Sequence, residues 1–254
     1  ISAFTNLWKD NQKFSKFLGK LRIFDGAQLK YIAMLSMLID HVNKAIVYPY
    51  LNSGFLLYVS DIFDILGRIA YPLFIFFVVE GFFQTSSRMN YFKNMLLFAI
   101  ITEIPFDLFS TRSFFELRWN NIMFSFTLVL FMLWLIDTLK EKLPKIAWYS
   151  VSFVIVAVMC LVAMFTGVDY EHHAILTGYF FYIFHERRVL AIPFSMISMY
   201  KEPWALLGFG LTLTYNGKRG KQHKWFNYAF YPVHLLILGL LRMLLNIWWN
   251  TIYL

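Results

Sequence analysis

Apolar side chains fill long stretches of this chain, near residues 30–49, 65–84, 92–109, 120–138 and 147–166, with shorter runs near 172–184, 189–200 and 204–215 and a long last one over 227–250. A helix rises about 1.5 Å per residue, so about 20 apolar residues cover a hydrocarbon core of about 30 Å. The long runs predict transmembrane helices. The three short runs predict tilted, broken or re-entrant legs, which a bilayer tolerates where they line a cavity or lie within protein. The expected fold is therefore all-α, a polytopic transmembrane helical bundle of about nine spans. No internal repeat or linker divides it, so residues 29–254 are read as one domain. Ahead of it, in residues 1–28, Phe4, Leu7, Trp8, Phe14, Phe17, Leu18 and Leu21 recur at steps of three and four, with Lys9, Lys13, Lys16 and Lys20 between them. That spacing predicts a basic amphipathic helix in the headgroup layer. The first apolar run is long, interrupted, and lacks a small-residue cleavage site, so no signal peptide is expected.

Composition agrees with this pattern: 59% of the 254 residues are hydrophobic and only 15% charged, too few polar groups to cover a water-soluble domain of this length. The lone cysteine, Cys160, excludes an intrachain disulfide. The net charge of +8 changes the picture only through its placement. With the N-terminus in the cytoplasm, loops on that side carry Arg88, Lys93, Lys140, Lys142, Lys145, Arg187, Arg188, Lys218, Arg219, Lys221 and Lys224, while the opposite loops carry Arg112, Arg118 and Lys201. The asymmetry reads as topology, N-terminus in and C-terminus out, with the lipid bilayer as partner and no nucleic acid.

Ionisable residues at bilayer depth cost about 2.5 to 3.5 kcal/mol each on insertion scales and are paired or functional. Asp40, His41, Arg68, Glu80, Glu103, Asp107, His234 and Arg242 all fall within or at the ends of the expected spans. Asp40 and His41 are adjacent, so on a helix they point about 100° apart. Asp40 has Lys44 at i+4 for a partner, and His41 is expected to find its own on another helix. Glu103 and Asp107, four apart on one face of the third span, and Arg68 are the candidates. Outside the spans, "YNGKRGKQHK", residues 215–224, joins Gly217 and Gly220 to Lys218, Arg219, Lys221 and Lys224. That composition suits phosphate binding as well as an ordinary positive-inside loop. "VDYEHHAIL", residues 168–176, puts Asp169 beside two histidines, without metal-ligand spacing. No metal is expected there, and Asp169 is read as facing the same outer cavity as His41.

Lys30 precedes His41 by eleven positions, a spacing that resembles the first-helix signature of the transmembrane acyltransferase superfamily, which includes the acyltransferase-3 and heparan glucosamine N-acetyltransferase groups. Within it the chain looks like the TraX family through "LKYIAMLSMLIDH", "LGRIAYPLFIFFVVEGFFQT", "AIITEIPFDLF", "NNIMFSF", "VDY", "YNGKRG" and "FYPVHLL", which cover about residues 29–237. Glu171, His172 and His173 after "VDY" depart from the expected smaller residues. The resemblance implies transfer of an acetyl group from cytoplasmic acetyl-CoA, at a bacterial plasma membrane, to a membrane-associated acceptor, either a peptide N-terminus such as that of pilin or a cell-envelope glycan. His41 would be the catalytic histidine, as general base or as nucleophile. Arg68, Asn121 or a backbone N–H would face the oxyanion; Glu103, Asp107 or Asp169 would hold the imidazole or receive a cationic acceptor; Asp40 completes the candidate catalytic set. Lys30, Asn216, Gly217, Arg219, Gly220 and His234 would lie along the acetyl-CoA entry. Two other classes fit intramembrane acids and histidines: a proton-coupled transporter, and a non-enzymatic scaffold for envelope or pilus assembly.

Overall fold

The computed structural model describes residues 16–17, 19–51, 54–111, 113–116, 118–245 and 247, without the side chain of Lys224. Most of the expected amphipathic segment lies outside those residues. The first long helix, α1 (Gly26–Val42), starts at a reciprocal cap in which Asp25 accepts the Gln28 N–H and Gln28 accepts the Asp25 N–H, both at 2.9 Å. Two donors that a helix start leaves unpaired are thereby satisfied. After Val42 the helix widens into a π-helical turn, Asn43–Val47, and a 3-10 turn, Tyr48–Tyr50. The chain returns through α2 (Gly54–Gly67) and α3 (Ala70–Gln84), a nearly continuous run of 31 residues. This apolar run begins about ten residues earlier than expected, because Asp61 and Asp64 interrupt the sequence pattern while Asp61 projects outward and Asp64 pairs with Arg68 at 2.8 Å. Ser36 donates to the Leu66 and Gly67 carbonyls and the Asn43 amide to the Ser60 carbonyl, so α1 is stapled to both arms of the return.

Three long helices follow, α4 (Arg88–Ser110), α5 (Ile122–Lys140) and α6 (Lys145–Phe165). The expected short legs are α7 (Glu171–Ile183), α8 (Arg188–Ser198) and α9 (Ala205–Thr212), before the long α10 (Lys224–Leu244). Contacts at the helix termini show the direction of each. At the near end the Gly26 N–H donates to the Lys218 carbonyl, Arg88 pairs with Asp137 at 2.6 Å, and Arg188 pairs with Glu80 at 3.1 Å. At the far end Arg68 meets Glu202 at 3.0 Å and the Asn120 N–H donates to the Gly167 carbonyl at 2.8 Å. Among the described residues the legs thus alternate between two ends, α2 and α3 acting as one. Four are long and apolar enough to cross a membrane: Gly54–Gln84, Ile122–Lys140, Lys145–Phe165 and Trp225–Leu244.

The core gathers around α3, whose Leu73, Ile75, Phe76, Val79 and Phe82 are buried among α1, α5, α7 and α9. Between apolar helices, packing and interhelical hydrogen bonds supply the cohesion that water expulsion supplies in soluble cores. The Trp148 indole, donating to the Ile136 carbonyl at 2.9 Å, locks α6 to α5 in this way. Arg242, buried near the end of α10, donates to the carbonyls of Phe109 and Ile247 and ties α10 to the far end of α4.

One turn at the far end admits only glycine. Gly167 has φ +59°, and a Cβ on it would stand 2.0 Å from the Arg118 carbonyl oxygen. Left-handed backbone alone costs a non-glycine residue about 1 to 2 kcal/mol. Gly167→Ala is therefore expected to lower stability by at least about 2 kcal/mol, read as a shifted denaturant midpoint in detergent micelles. An unchanged midpoint would refute the close approach of the two loops.

Candidate functional site: a histidine pair between two chambers

His41 and His234 meet across the bundle, with His41 Nδ1 2.7 Å from His234 Nε2 and the rings within 9° of parallel. His234 Nδ1 lies 2.7 Å from the Phe230 carbonyl oxygen. A carbonyl only accepts, so His234 Nδ1 carries the proton and, in the neutral ring, Nε2 is the acceptor. His41 Nδ1 must then donate to it. The neutral His41 is accordingly held as the Nδ1–H tautomer, with its lone pair on Nε2. Phe109 and Tyr231 flank the His41 ring, with centroids 5.1 and 6.4 Å away. Just beyond His41, α1 changes to its π-helical turn, a distortion that recurs at functional sites.

Two cavities lie toward opposite ends of the bundle; His41 lines the far one, and Phe230 and Tyr231, which pack on His234, line the near one. The far chamber, of about 310 Å³, has His41 in its wall together with Asp40, Lys44, Arg68, Asp169 and Glu202. The near chamber, of about 260 Å³, is lined by Lys30, Arg219, Gln222, Asn227, Tyr91 and Tyr228. Met37, Phe74, Ile122 and Tyr231 line both, so four side chains form a waist where the chambers adjoin. Met37 is one helical turn before His41 and shares its face of α1.

Asp40 diverges from His41 as consecutive helical residues must and pairs with Lys44 at 2.9 Å. Arg68 is shared between Asp64 and Glu202. Asp169 sits in the loop before α7, its backbone N–H on the Asn120 carbonyl, its carbonyl accepting from Ser125, and its carboxylate accepting the Tyr170 N–H at 2.9 Å. The next two residues, Tyr170 and Glu171, have φ of +60° and +37°. Such backbone is strained in non-glycine residues and is held here by its surroundings, including a stack of the Tyr170 ring on Tyr71 at 3.8 Å.

Other expected residues lie elsewhere. Glu103 and Asp107 do not reach His41, because Phe106 and Phe109 occupy the face of α4 that meets it. Glu103 instead bonds Asn121, and Asp107 accepts the Glu116 N–H at 2.8 Å. Asn121 is fully buried, capping α5 through the Met123 N–H and donating to the Ala99 carbonyl, so it is withdrawn from both chambers. His234 belongs to the His41 pair and not to the loop at 215–224, from which it is more than two helical turns removed. Of that loop's described side chains, Arg219 and Gln222 line the near chamber, where Lys30 donates to Gln222 at 3.1 Å. Asn216 pairs its backbone with Phe24, and Gly220, at φ +72°, lets the loop close on Asp25, whose carboxylate would stand 2.4 Å from a Cβ. The stacked Tyr71 and Tyr170 and the waist residues Met37, Ile122 and Tyr231 carry no chemical motif in the sequence, and Phe74, which reads there as lipid-facing or packed core, lines both chambers. Their only sequence signal is spacing, Met37 at four before His41 and Tyr231 at three before His234.

Helices alternating between two ends around a polar, two-chambered interior define an all-α polytopic membrane protein. The TraX protein family model matches residues 25–242, and the chain belongs to that family. It is also similar to a protein of Dichelobacter nodosus named as the probable fimbrial assembly protein FimC of serogroup H1. The two are 27% identical over 246 residues, covering 88% of this chain and 98% of the relative. No solved structure matches.

Asp169 permits a test of the far chamber's electrostatics. Burial pushes its carboxyl up to about 6, with Asp40 adding to the rise and Lys44, the Tyr170 N–H and Arg68 opposing it. An acid whose folded pKa exceeds its unfolded value of about 4 destabilises the fold fully above pH 6, and the penalty fades as pH falls toward 4. Asp169→Asn, which keeps an acceptor oxygen for the Tyr170 N–H, should raise the thermal midpoint at pH 7.5. That gain should shrink toward nothing by pH 4.5; a pH-independent difference would show that ionisation is not its source.

Proposed function

We propose that this chain is a membrane acyltransferase that moves an acetyl group from acetyl-CoA, entering at the near end, to an amine or hydroxyl acceptor held in the far chamber. The observation that carries this reading is the fixed tautomer of His41 in the wall of the far chamber, one helical turn from the waist residue Met37. A group-transfer base must present a lone pair to the reacting atom, and the Phe230–His234–His41 chain leaves Nε2 for that purpose. The near end is assigned to the cytoplasm, since the basic loops gather there. Lys30 and Arg219 offer two cations to the donor phosphates, and the aromatic-lined near chamber takes the narrow thioester arm up to the waist.

In the direct route the acceptor attacks the thioester carbonyl while His41 Nε2 takes its proton. The new C–N or C–O bond forms, the C–S bond breaks, and the thiolate leaves with the proton from His41. In the stepwise route Nε2 attacks first, the C–S bond breaks and CoA leaves as the thiolate, while His234 Nε2 takes the Nδ1 proton, giving a neutral acyl-imidazole. The acceptor then forms the C–N or C–O bond as the acyl–Nε2 bond breaks, His234 returns its proton to Nδ1, and the acceptor's proton goes to the thiolate. Both routes use the same hydrogen bond. Asp169, which lines the far chamber and forms no ion pair among the described residues, receives a protonated acceptor amine. Arg68 is already shared by two carboxylates, so no oxyanion role is assigned to it. The peptide N-terminus and an envelope glycan both remain acceptors compatible with the chamber. The name of the Dichelobacter relative favours a role in fimbrial assembly, and a purely structural assembly function is the second reading.

The test uses the purified full chain with isotope-labelled acetyl-CoA and mass spectrometry of the protein and co-purified material. His41→Ala should abolish labelling, by at least about 100-fold, and still bind CoA. His234→Ala should slow it by about 10- to 100-fold, as expected for a residue that orients another. Undiminished labelling in His41→Ala would remove the histidine from the chemistry; CoA binding by neither variant nor wild type would leave the assembly reading.

A further inference from the structure

A third cavity, of about 630 Å³, lies at the near end apart from both chambers, between the end of α3, the α5–α6 turn and the end of α7. Its wall carries Lys140, Lys145 and Arg187, with Tyr149, Tyr182 and the single acid Glu186. Of the neighbouring carboxylates, Glu141 is exposed beside Lys140 in the α5–α6 turn, while Asp137 and Glu80 already hold partners. Asp137 is held by Arg88 at 2.6 Å and by the Tyr182 hydroxyl at 2.7 Å, and Glu80 by Arg188 and His185. The cavity therefore keeps an excess of cations.

Its position adds a second chemistry. Lys140 and Lys145 mark the near ends of α5 and α6, two of the helices able to cross a membrane, so the cavity lies at the level where such helices leave the hydrocarbon. Tyr149 and Trp148 stand at that same level, the depth that amphipathic rings favour. From the mouth of the cavity an apolar stripe descends α6 through Ile146, Tyr149 and Phe153, spaced for one helix face and 83%, 46% and 74% exposed. A ligand that satisfies both parts has a negatively charged phosphate for the cavity and hydrocarbon chains for the stripe. A soluble phosphate satisfies only the first.

We infer that this near-end cavity binds the headgroup of an anionic glycerophospholipid of the surrounding bilayer, with its acyl chains along α6. Basic pockets between membrane helices select such lipids through their charge. The site is independent of the proposed acyl transfer, since none of its residues lines either chamber.

The experiment is native mass spectrometry of the full chain released from nanodiscs of phosphatidylglycerol or of phosphatidylcholine. Phosphatidylglycerol should be retained and phosphatidylcholine lost. Removing cations singly and together, as Lys140→Gln, Lys145→Gln and Arg187→Gln, should weaken retention about fivefold per cation. Glu186→Gln, an exposed change that needs no refolding of the core, should strengthen it and keeps the test valid if a cation variant folds poorly. Millimolar inorganic phosphate should leave the lipid in place. Equal retention of both lipids, an unaltered triple variant with no gain in Glu186→Gln, or displacement by inorganic phosphate would each overturn the inference.

Discussion

The hydrogen bond from His41 to His234 joins side chains 193 positions apart and settles the chemical state of both. It begins at a backbone carbonyl, that of Phe230, which cannot change its role as acceptor. From there each proton position is dictated in turn. The register between α1 and α10 must be right for the chain of bonds to exist, and several neighbouring contacts serve that register. Arg242 ties α10 to α4, Phe109 and Tyr231 confine the His41 ring, and the π-helical turn with Asn43 secures α1 against α2.

The same demand for compensation explains the other intramembrane charges. A carboxylate or guanidinium taken from water is tolerated when hydrogen bonds and opposite charge replace the lost hydration. Glu80 meets Arg188 and His185, Asp40 meets Lys44, and Arg68 meets Asp64 and Glu202. The bonds of Glu80 to His185 and Arg188 and of Arg68 to Glu202 also pin the two ends of the short leg α8. Polar stitching at its ends thus supplements the apolar packing of that 11-residue helix.

The helical membrane fold was legible because hydrophobic runs report lipid contact directly. Even the short legs between 172 and 215 were visible as interruptions. The divergence of Asp40 from His41 followed from helix geometry alone. What spacing could not supply was the rotation of one helix against another. Glu103 and Asp107 share a face of α4, as expected, but that face points to Asn121 and the Glu116 loop, while two phenylalanines take the side toward His41. Likewise His234 looked like a neighbour of the basic loop because it is close in sequence. A helix rising about 1.5 Å per residue carries it away from that loop and into the plane of His41. The glycines of "NGKRG" were read for phosphate binding; Gly220 serves the close fit of the loop on Asp25, and the loop's contribution to the near chamber is made by side chains.

The waist of Met37, Phe74, Ile122 and Tyr231 has a consequence for the compartments that such a protein divides. Each chamber is wet enough to admit charged groups, yet the four side chains between them carry a single polar atom beyond the backbone, the Tyr231 hydroxyl. A file of water conducts protons, whereas a plug of thioether, aliphatic and aromatic groups does not sustain one. Two openings toward opposite ends of the bundle, parted by such a plug, leave the chain an electrical insulator and the voltage stored across a bilayer intact.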